Sequence, residues 1–128
     1  MKRLSFLVLA IFALGFTGSA HAQGGSGPAI DVAGKYDVEG ENSDGTTYSG
    51  TAEIIMTGRG TCTIRWVFGD ENAEGICMVR GRIFTSAYWL KGAVGLASYD
   101  IRDDGSMHGL WTLSDDDEPG TETLTLSK

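Results

Sequence analysis

The chain has 128 residues, with 10 Lys and Arg against 17 Asp and Glu, so its formal net charge is −7. This length fits one domain, and the acidic balance argues against nucleic acid as a partner, because binding phosphates requires clustered basic side chains. Two histidines and two cysteines leave almost nothing with which to build a Cys/His zinc site.

The first 22 residues have the pattern of a secretory signal peptide. Lys2 and Arg3 precede an apolar run over residues 4–16, and small residues end the segment. The run is shorter than the roughly 20 residues that span a bilayer, which disfavours a membrane anchor. We therefore expect cleavage after Ala22 and export to the periplasm or the extracellular space. The mature chain would have 106 residues, a net charge of −9 and a flexible leader over residues 23–33.

From residue 34 onward the sequence predicts eight short β-strands. Apolar or aromatic side chains alternate with polar ones, and turn residues punctuate the pattern at short intervals. No stretch shows the period of an amphipathic helix. In chain order, the predicted strands cover residues 34–41, 46–56, 61–68, 72–80, 82–90, 93–102, 106–113 and 121–127.

Short connections make sequence neighbours antiparallel neighbours in space, and closure of the sheet removes exposed edges. We therefore predict an all-β fold for residues 34–128, an eight-stranded antiparallel up-and-down meander barrel. The interior of such a barrel is just wide enough for side chains or one small ligand. A two-sheet β-sandwich is the alternative.

Two turns make this prediction specific. The run Asp103-Asp104-Gly105 suits a three-residue hairpin loop with glycine in the left-handed position. Its register pairs Ile101 with Met107, Tyr99 with Gly109 and Ala97 with Trp111.

The run Gly69-Asp70 suits a two-residue turn whose register places Cys62 opposite Cys77. Directly opposite strand residues lie within disulfide reach, and exported proteins mature under oxidising conditions. We therefore predict a cross-strand disulfide between Cys62 and Cys77. Two buried free thiols are the alternative, and a redox-active pair is disfavoured by the lack of a C-x-x-C spacing.

Five aromatic side chains fall on the inward face of the predicted strands: Tyr36, Tyr48, Trp66, Tyr99 and Trp111. They either fill the barrel, which is the simpler interpretation, or line a ligand pocket at its open end.

Tyr88 and Trp89 are consecutive near a strand end, so one of them must face outward. The outward ring is a candidate contact for a partner, with packing at the strand end as the alternative.

The motifs along the mature chain resemble those of small exported proteins of alphaproteobacteria. These proteins have G-x-Y-x-V-x-G near the start and D-G-x-x-x-G-x-W near the end. Here the first motif is Gly34-Lys35-Tyr36-Asp37-Val38-Glu39-Gly40, and the second runs from Asp104-Gly105 to Gly109-Leu110-Trp111. The resemblance implies a fold and a compartment but no activity.

The strand layout is also similar, more distantly, to two other groups of barrels. One is the avidin and lipocalin type. The other comprises the periplasmic inhibitors of serralysin-type metalloproteases, which use a flexible N-terminal leader to enter the protease cleft. This second resemblance implies that residues 23–30 could act in the same way.

No catalytic or cofactor motif is found in the mature sequence. His108 is its only histidine, and strand parity places it on the outer face, so we interpret it as a surface imidazole. The densest carboxylates are in predicted turns, where aspartate bonds its own backbone: Asp103 and Asp104, and then Asp115, Asp116, Asp117 and Glu118. The second run lacks the spacing of a calcium loop. We predict no metal site and no cofactor, with a weak calcium site on the acidic turns as the alternative.

Three functions remain open. The first is an exported, non-enzymatic binding or inhibitor module of the cell envelope, with a protein or a small ligand as partner. The second is an adhesin-type surface protein that uses its acidic outer face. The third is an enzyme with an unrecognised carboxylate site.

Overall fold

The computed structural model describes residues 27–128, which form a closed antiparallel β-barrel. Each strand pairs with the next in sequence, and β8 pairs with β1 to complete the circle. The strands are β1 (Gly34–Glu41), β2 (Thr47–Gly58), β3 (Thr61–Phe68), β4 (Glu71–Arg80), β5 (Ile83–Leu90), β6 (Ala93–Ile101), β7 (Met107–Leu113) and β8 (Gly120–Leu126). The predicted meander barrel is confirmed, and the sandwich alternative is wrong. The predicted signal peptide lies outside the described residues.

Period-2 alternation decides which side chains enter the barrel. In β3, Cys62, Ile64 and Trp66 are buried, and each lies between exposed neighbours. The predicted strand ends differ from the observed ones by two residues at most. The largest difference is at the end of β2, where an irregularity in the register between Met56 and Gly58 lets the pairing continue beyond the expected end.

Both predicted turns are confirmed. Gly105 and Gly69 have φ of 81° and 58°, in the left-handed region that favours glycine. The resulting registers pair Tyr99 with Gly109 and Cys62 with Cys77. The two cysteines form a disulfide with their Cα atoms 4.9 Å apart, so the disulfide prediction is confirmed as well.

The two ends of the barrel differ. We call the end that carries the connections 42–46, 69–70, 91–92 and 114–119 the open end, and the opposite end the closed end. The chain that precedes β1 packs at the closed end. There Val32 is buried, Ile30 packs against the core, and the hydroxyl of Tyr36 donates to the carbonyl oxygen of Val32 at 2.8 Å. This part of the predicted leader is therefore held against the barrel. Residues 27–128 contain no helix long and apolar enough to cross a membrane.

Candidate functional site

The open end of the barrel holds a cavity of about 190 Å³. Its wall is mainly aromatic, and the polar groups are those of Asn42, Glu71 and Glu122 together with the tyrosine hydroxyls and indole N–H groups. The lining consists of Tyr48, Trp66, Phe68, Tyr88, Tyr99 and Trp111, with Ala73, Leu90, Asn42, Glu71 and Glu122. A mostly apolar concavity with a few fixed polar groups is the usual form of a small-molecule site.

Strand glycines hold the aromatic rings in place. Where a neighbouring strand has glycine, a ring can lie flat across the bare backbone. A Cβ atom added at Gly109 would lie 2.6 Å from Cδ1 of Tyr99, so only glycine leaves room for that ring. Four other aromatic rings around the open end lie against a strand glycine in the same way: Tyr48 against Gly40, Phe68 against Gly50, Tyr88 against Gly95 and Trp111 against Gly120.

Glu122, on β8, is the central polar group of the cavity. Its side chain points inward by the alternation that also buries Leu124, and the residue is only 6% exposed. Oε1 accepts hydrogen bonds from Trp66 Nε1 at 3.0 Å and from the Tyr99 hydroxyl at 2.7 Å. Oε2 accepts one from the Tyr48 hydroxyl at 2.7 Å. Residues from β2, β3 and β6 therefore converge on one carboxyl group.

Burial raises the pKa of the Glu122 carboxyl, and the three hydrogen bonds act in the opposite direction. Burial and then the nearby Glu122 carboxylate raise the pKa of Tyr48 and of Tyr99. Both phenols therefore keep their protons and remain donors to Glu122.

The indole N–H of Trp111 points toward the Tyr48 hydroxyl but forms no well-aligned hydrogen bond with it. Its Nε1 is buried and has no hydrogen-bond partner among the described residues. A buried donor without a partner is unfavourable by roughly 1–3 kcal/mol. In the wall of a cavity, such a donor can be satisfied by an acceptor on a bound molecule.

The structure brings four of the five predicted inward aromatics together. Tyr48, Trp66, Tyr99 and Trp111 line the cavity. Tyr36 is buried near the closed end, where its hydroxyl bonds the chain before β1, so its role is in the core.

Tyr88 and Trp89 face opposite ways, as consecutive strand residues must. Tyr88 is buried and lines the cavity, while Trp89 is 63% exposed on the outer face. The outward contact proposed from the sequence can therefore be Trp89 but not Tyr88, whose ring lies inside the barrel.

Sequence reasoning missed Glu122 and Phe68 as site residues. The strand parity that placed Leu124 inside also placed Glu122 inside, and a carboxylate at an inward barrel position was the available signal. Glu122 stands alone between two threonines, so it gives a much weaker sequence signal than the dense acidic turns do.

None of the six residues of those acidic turns lines the cavity, and one aspartate in each turn bonds its own backbone. Asp104 Oδ1 accepts from the backbone nitrogen of Ser106 at 2.9 Å, and Asp116 Oδ2 accepts from that of Leu113 at 3.0 Å. Among residues 27–128, no group of three or more His, Cys, Asp or Glu is placed to hold a metal ion.

His108 has one side-chain partner, Ser106, whose Oγ lies 3.2 Å from Nε2. The Ser106 hydroxyl donates instead to Asp104 Oδ1 at 2.6 Å. Nε2 must then donate to Ser106, so in this arrangement His108 cannot accept the serine proton as a general base would.

On the outer face of the barrel, apolar side chains cluster on β4, β5 and β6. Ile76, Ala87 and Leu96 are directly paired across the three strands, and Trp89 pairs with Val94 next to them. Ile76 is 69% exposed and Leu96 is 54% exposed. We call Ile76, Ala87, Trp89, Val94 and Leu96 the outer apolar patch.

Comparison with known proteins shows the fold. No protein-family model and no curated protein sequence matches the chain. A redesigned β-barrel matches with 16% identity and a TM-score of 0.67 over 76% of this chain and 92% of its own. The redesigned β-barrel mFAP1, bound to DFHBI, has 17% sequence identity and a TM-score of 0.64, and the match covers 73% of this chain and 94% of mFAP1. The REP1-NXSQ fatty acid transporter has 18% sequence identity and a TM-score of 0.52, and the match covers 77% of this chain and 97% of the transporter. The chain therefore has the architecture of these small closed barrels.

Proposed function

We propose that the chain is an exported, non-enzymatic binding protein of the cell envelope that holds a small, mainly apolar ring compound. The observation that carries the proposal is the cavity at the open end, with its aromatic wall and buried carboxyl group. The fold neighbours include a barrel bound to DFHBI and a fatty acid transporter, so small barrels of this architecture do take ligands.

The size of the cavity limits the ligand. An engineered protein cavity of roughly 150 Å³ holds benzene, whereas drug-sized ligands occupy about 300–1,000 Å³. A cavity of about 190 Å³ therefore suits one ring or two fused rings. A larger ligand would have to extend out of the open end.

The polar groups would orient the ligand within this apolar wall. Trp111 offers an N–H that forms no well-aligned hydrogen bond, and Oε2 of Glu122 has one acceptor position left after the bond from Tyr48. These two groups can select a ligand that carries both an acceptor and a donor.

The disulfide between Cys62 and Cys77 supports the exported location, because such bonds persist in oxidising compartments. Ile30 and Val32, in the described part of the leader, pack against the barrel at the closed end, away from the cavity. We therefore place the binding function in the cavity rather than in the leader.

Each alternative function has less support. A surface-contact role rests on the outer apolar patch alone, and nothing in the structure shows what covers that patch. An enzyme that uses the acidic turns is not supported, because Asp104 and Asp116 bond their own turns outside the cavity.

Calorimetric titration with benzyl alcohol and with indole tests the proposal. We expect dissociation constants of about 1 mM or tighter and a higher melting temperature with ligand. The variant Ala73→Met fills the cavity and should weaken binding, whereas Ala87→Met adds the same side chain to the outer face and should not. Absence of binding by both probes, or equal binding by the two variants, would contradict the proposal.

A further inference from the structure

Among residues 27–128, the carboxyl group of Glu122 has no positively charged partner. The ion pairs found among residues 27–128 are Arg65 with Glu74, Arg82 with Asp103 and Lys91 with Glu71. The first two lie on the surface away from the cavity, and the third lies at the cavity mouth. Every group that donates to Glu122 is neutral, since two are phenols and one is an indole. Burying an ionised carboxylate without a countercharge is costly, and hydrogen bonds offset only part of that cost.

The surroundings of Glu122 suit a cation in a second way. The faces of aromatic rings attract positive charge, and the indole of tryptophan does so most strongly. The cavity wall contains two indoles, Trp66 and Trp111, together with the rings of Tyr48, Phe68 and Tyr88. A cation placed beside Glu122 would therefore meet rings instead of apolar aliphatic groups.

The distribution of charge between the two barrel ends also favours a cationic ligand. The four connections of the open end carry one basic residue, Lys91, which pairs with Glu71 at the cavity. Their acidic residues are Asp44, Asp70, Asp115, Asp116, Asp117 and Glu118. The connections of the closed end carry three basic residues and two acidic ones: Arg59, Arg82 and Arg102, and Asp103 and Asp104. A field of this sign around a cavity mouth attracts cations and repels anions.

We propose that the occupant of the cavity is a small organic cation, with a protonated amine or similar group at Glu122 Oε2 and an aromatic body against the ring wall. This inference rests on the proposed function and narrows it to one class of ligand. The free acceptor position of Oε2 is where the ammonium group would bond.

The test compares three probes of nearly equal shape: benzylamine, benzyl alcohol and benzoate, which are cationic, neutral and anionic at pH 7. We expect benzylamine to bind the wild-type protein about tenfold more tightly than benzyl alcohol, and benzoate to bind least. In Glu122→Gln, the ratio of the benzylamine and benzyl alcohol dissociation constants should fall to near 1. In Glu39→Gln, which removes a carboxylate from the outer face of β1, the ratio should stay as in the wild type.

The pH dependence of binding to the wild-type protein gives a second test, which does not require the Glu122→Gln variant to fold. Cation binding requires ionised Glu122, so benzylamine affinity should rise with pH through the titration of this group, while benzyl alcohol affinity should not. The titratable groups that face Glu122 are Tyr48, Tyr88 and Tyr99, whose pKa values are all raised further from neutrality, and Glu71 lies at the cavity mouth.

The outcomes separate the two proposals. Equal binding of benzylamine and benzyl alcohol, or a preference that survives in Glu122→Gln, would overturn the cation inference and leave the cavity function standing. Failure of every probe to bind would overturn both.

Discussion

At the scale of single residues, Glu122 is the group on which the site depends. It is the point where donors from three other strands meet, and within the described part of the chain all of these donors are neutral. A buried carboxyl of this kind links the stability of the fold to pH, because the folded and unfolded chains bind its proton with different strength.

Replacing Glu122 with Gln tests that link. Burial holds the pKa of the folded carboxyl above its ordinary value, so the folded state binds the proton more tightly than the unfolded chain. The stabilisation is complete below the unfolded pKa of about 4.3 and is lost as pH rises through the folded pKa. We therefore expect the melting temperature of the wild type, relative to Glu122→Gln, to fall as pH increases above that point.

Thermal unfolding at a series of pH values measures this difference. Glu39→Gln serves as the control, since Glu39 is exposed and should not reproduce the slope. A relative melting temperature that rises with pH would show that the hydrogen bonds from Tyr48, Trp66 and Tyr99 outweigh burial.

At the scale of strands and turns, register follows from local sequence. Glycine at the left-handed position fixed the loop before Ser106, and the turn at Gly69 fixed the pairing that brings Cys62 to Cys77. These parts of the fold could be predicted because each depends on a few adjacent residues and on a side-chain period of two. The cavity could not, because its wall combines rings from five strands whose mutual distances no local pattern contains.

Reduction of the Cys62–Cys77 disulfide should lower the stability of the barrel. The cysteines are 15 residues apart, and a loop of that size corresponds to about 3 kcal/mol in the chain-entropy account. We expect a lower melting temperature in reductant with the β-type circular dichroism spectrum retained. The double variant Cys62→Ala/Cys77→Ala should not respond to reductant. Two alkylatable thiols in protein purified from an oxidising compartment would refute the bond.

Gly109→Ala should destabilise the pairing of β6 with β7. The added Cβ would lie 2.6 Å from Cδ1 of Tyr99, so the ring or the strand must shift. Overpacking of this kind typically lowers the free energy of unfolding by roughly 1–3 kcal/mol. Urea unfolding of the variant measures the loss, with Gly27→Ala, where nothing lies within 4 Å, as the control. A loss no larger than that of the control would mean that Tyr99 is loosely held.

At the scale of the whole molecule, the two ends of the barrel differ in structure. The segment before β1 covers one end, and the other end keeps a cavity beneath acidic connections. The alternation of polar and apolar residues predicted a closed barrel, but it could not tell which end is covered. That depends on Ile30 and Val32, two apolar side chains in a segment whose glycine and serine content favoured a flexible leader.

Val32→Ala tests the covered end. Val32 is 3% exposed, and its truncation should lower the free energy of unfolding by about 1–3 kcal/mol. Pro28→Ala, at an exposed position of the same segment, should have little effect. Equal stability of the two variants in urea unfolding would indicate that the segment does not pack on the barrel in solution.

The proposed binding of a small ring compound in the open-end cavity can be followed at the three tryptophans of the chain. Trp66 and Trp111 line the cavity, whereas Trp89 is exposed on the outer face. In a ¹H–¹⁵N correlation spectrum, the indole N–H signals can be followed during titration with benzyl alcohol. We predict that the Trp66 and Trp111 signals shift and saturate while that of Trp89 stays in place. A shift of the Trp89 signal alone, or no shift at millimolar ligand, would show that the cavity does not bind such a compound.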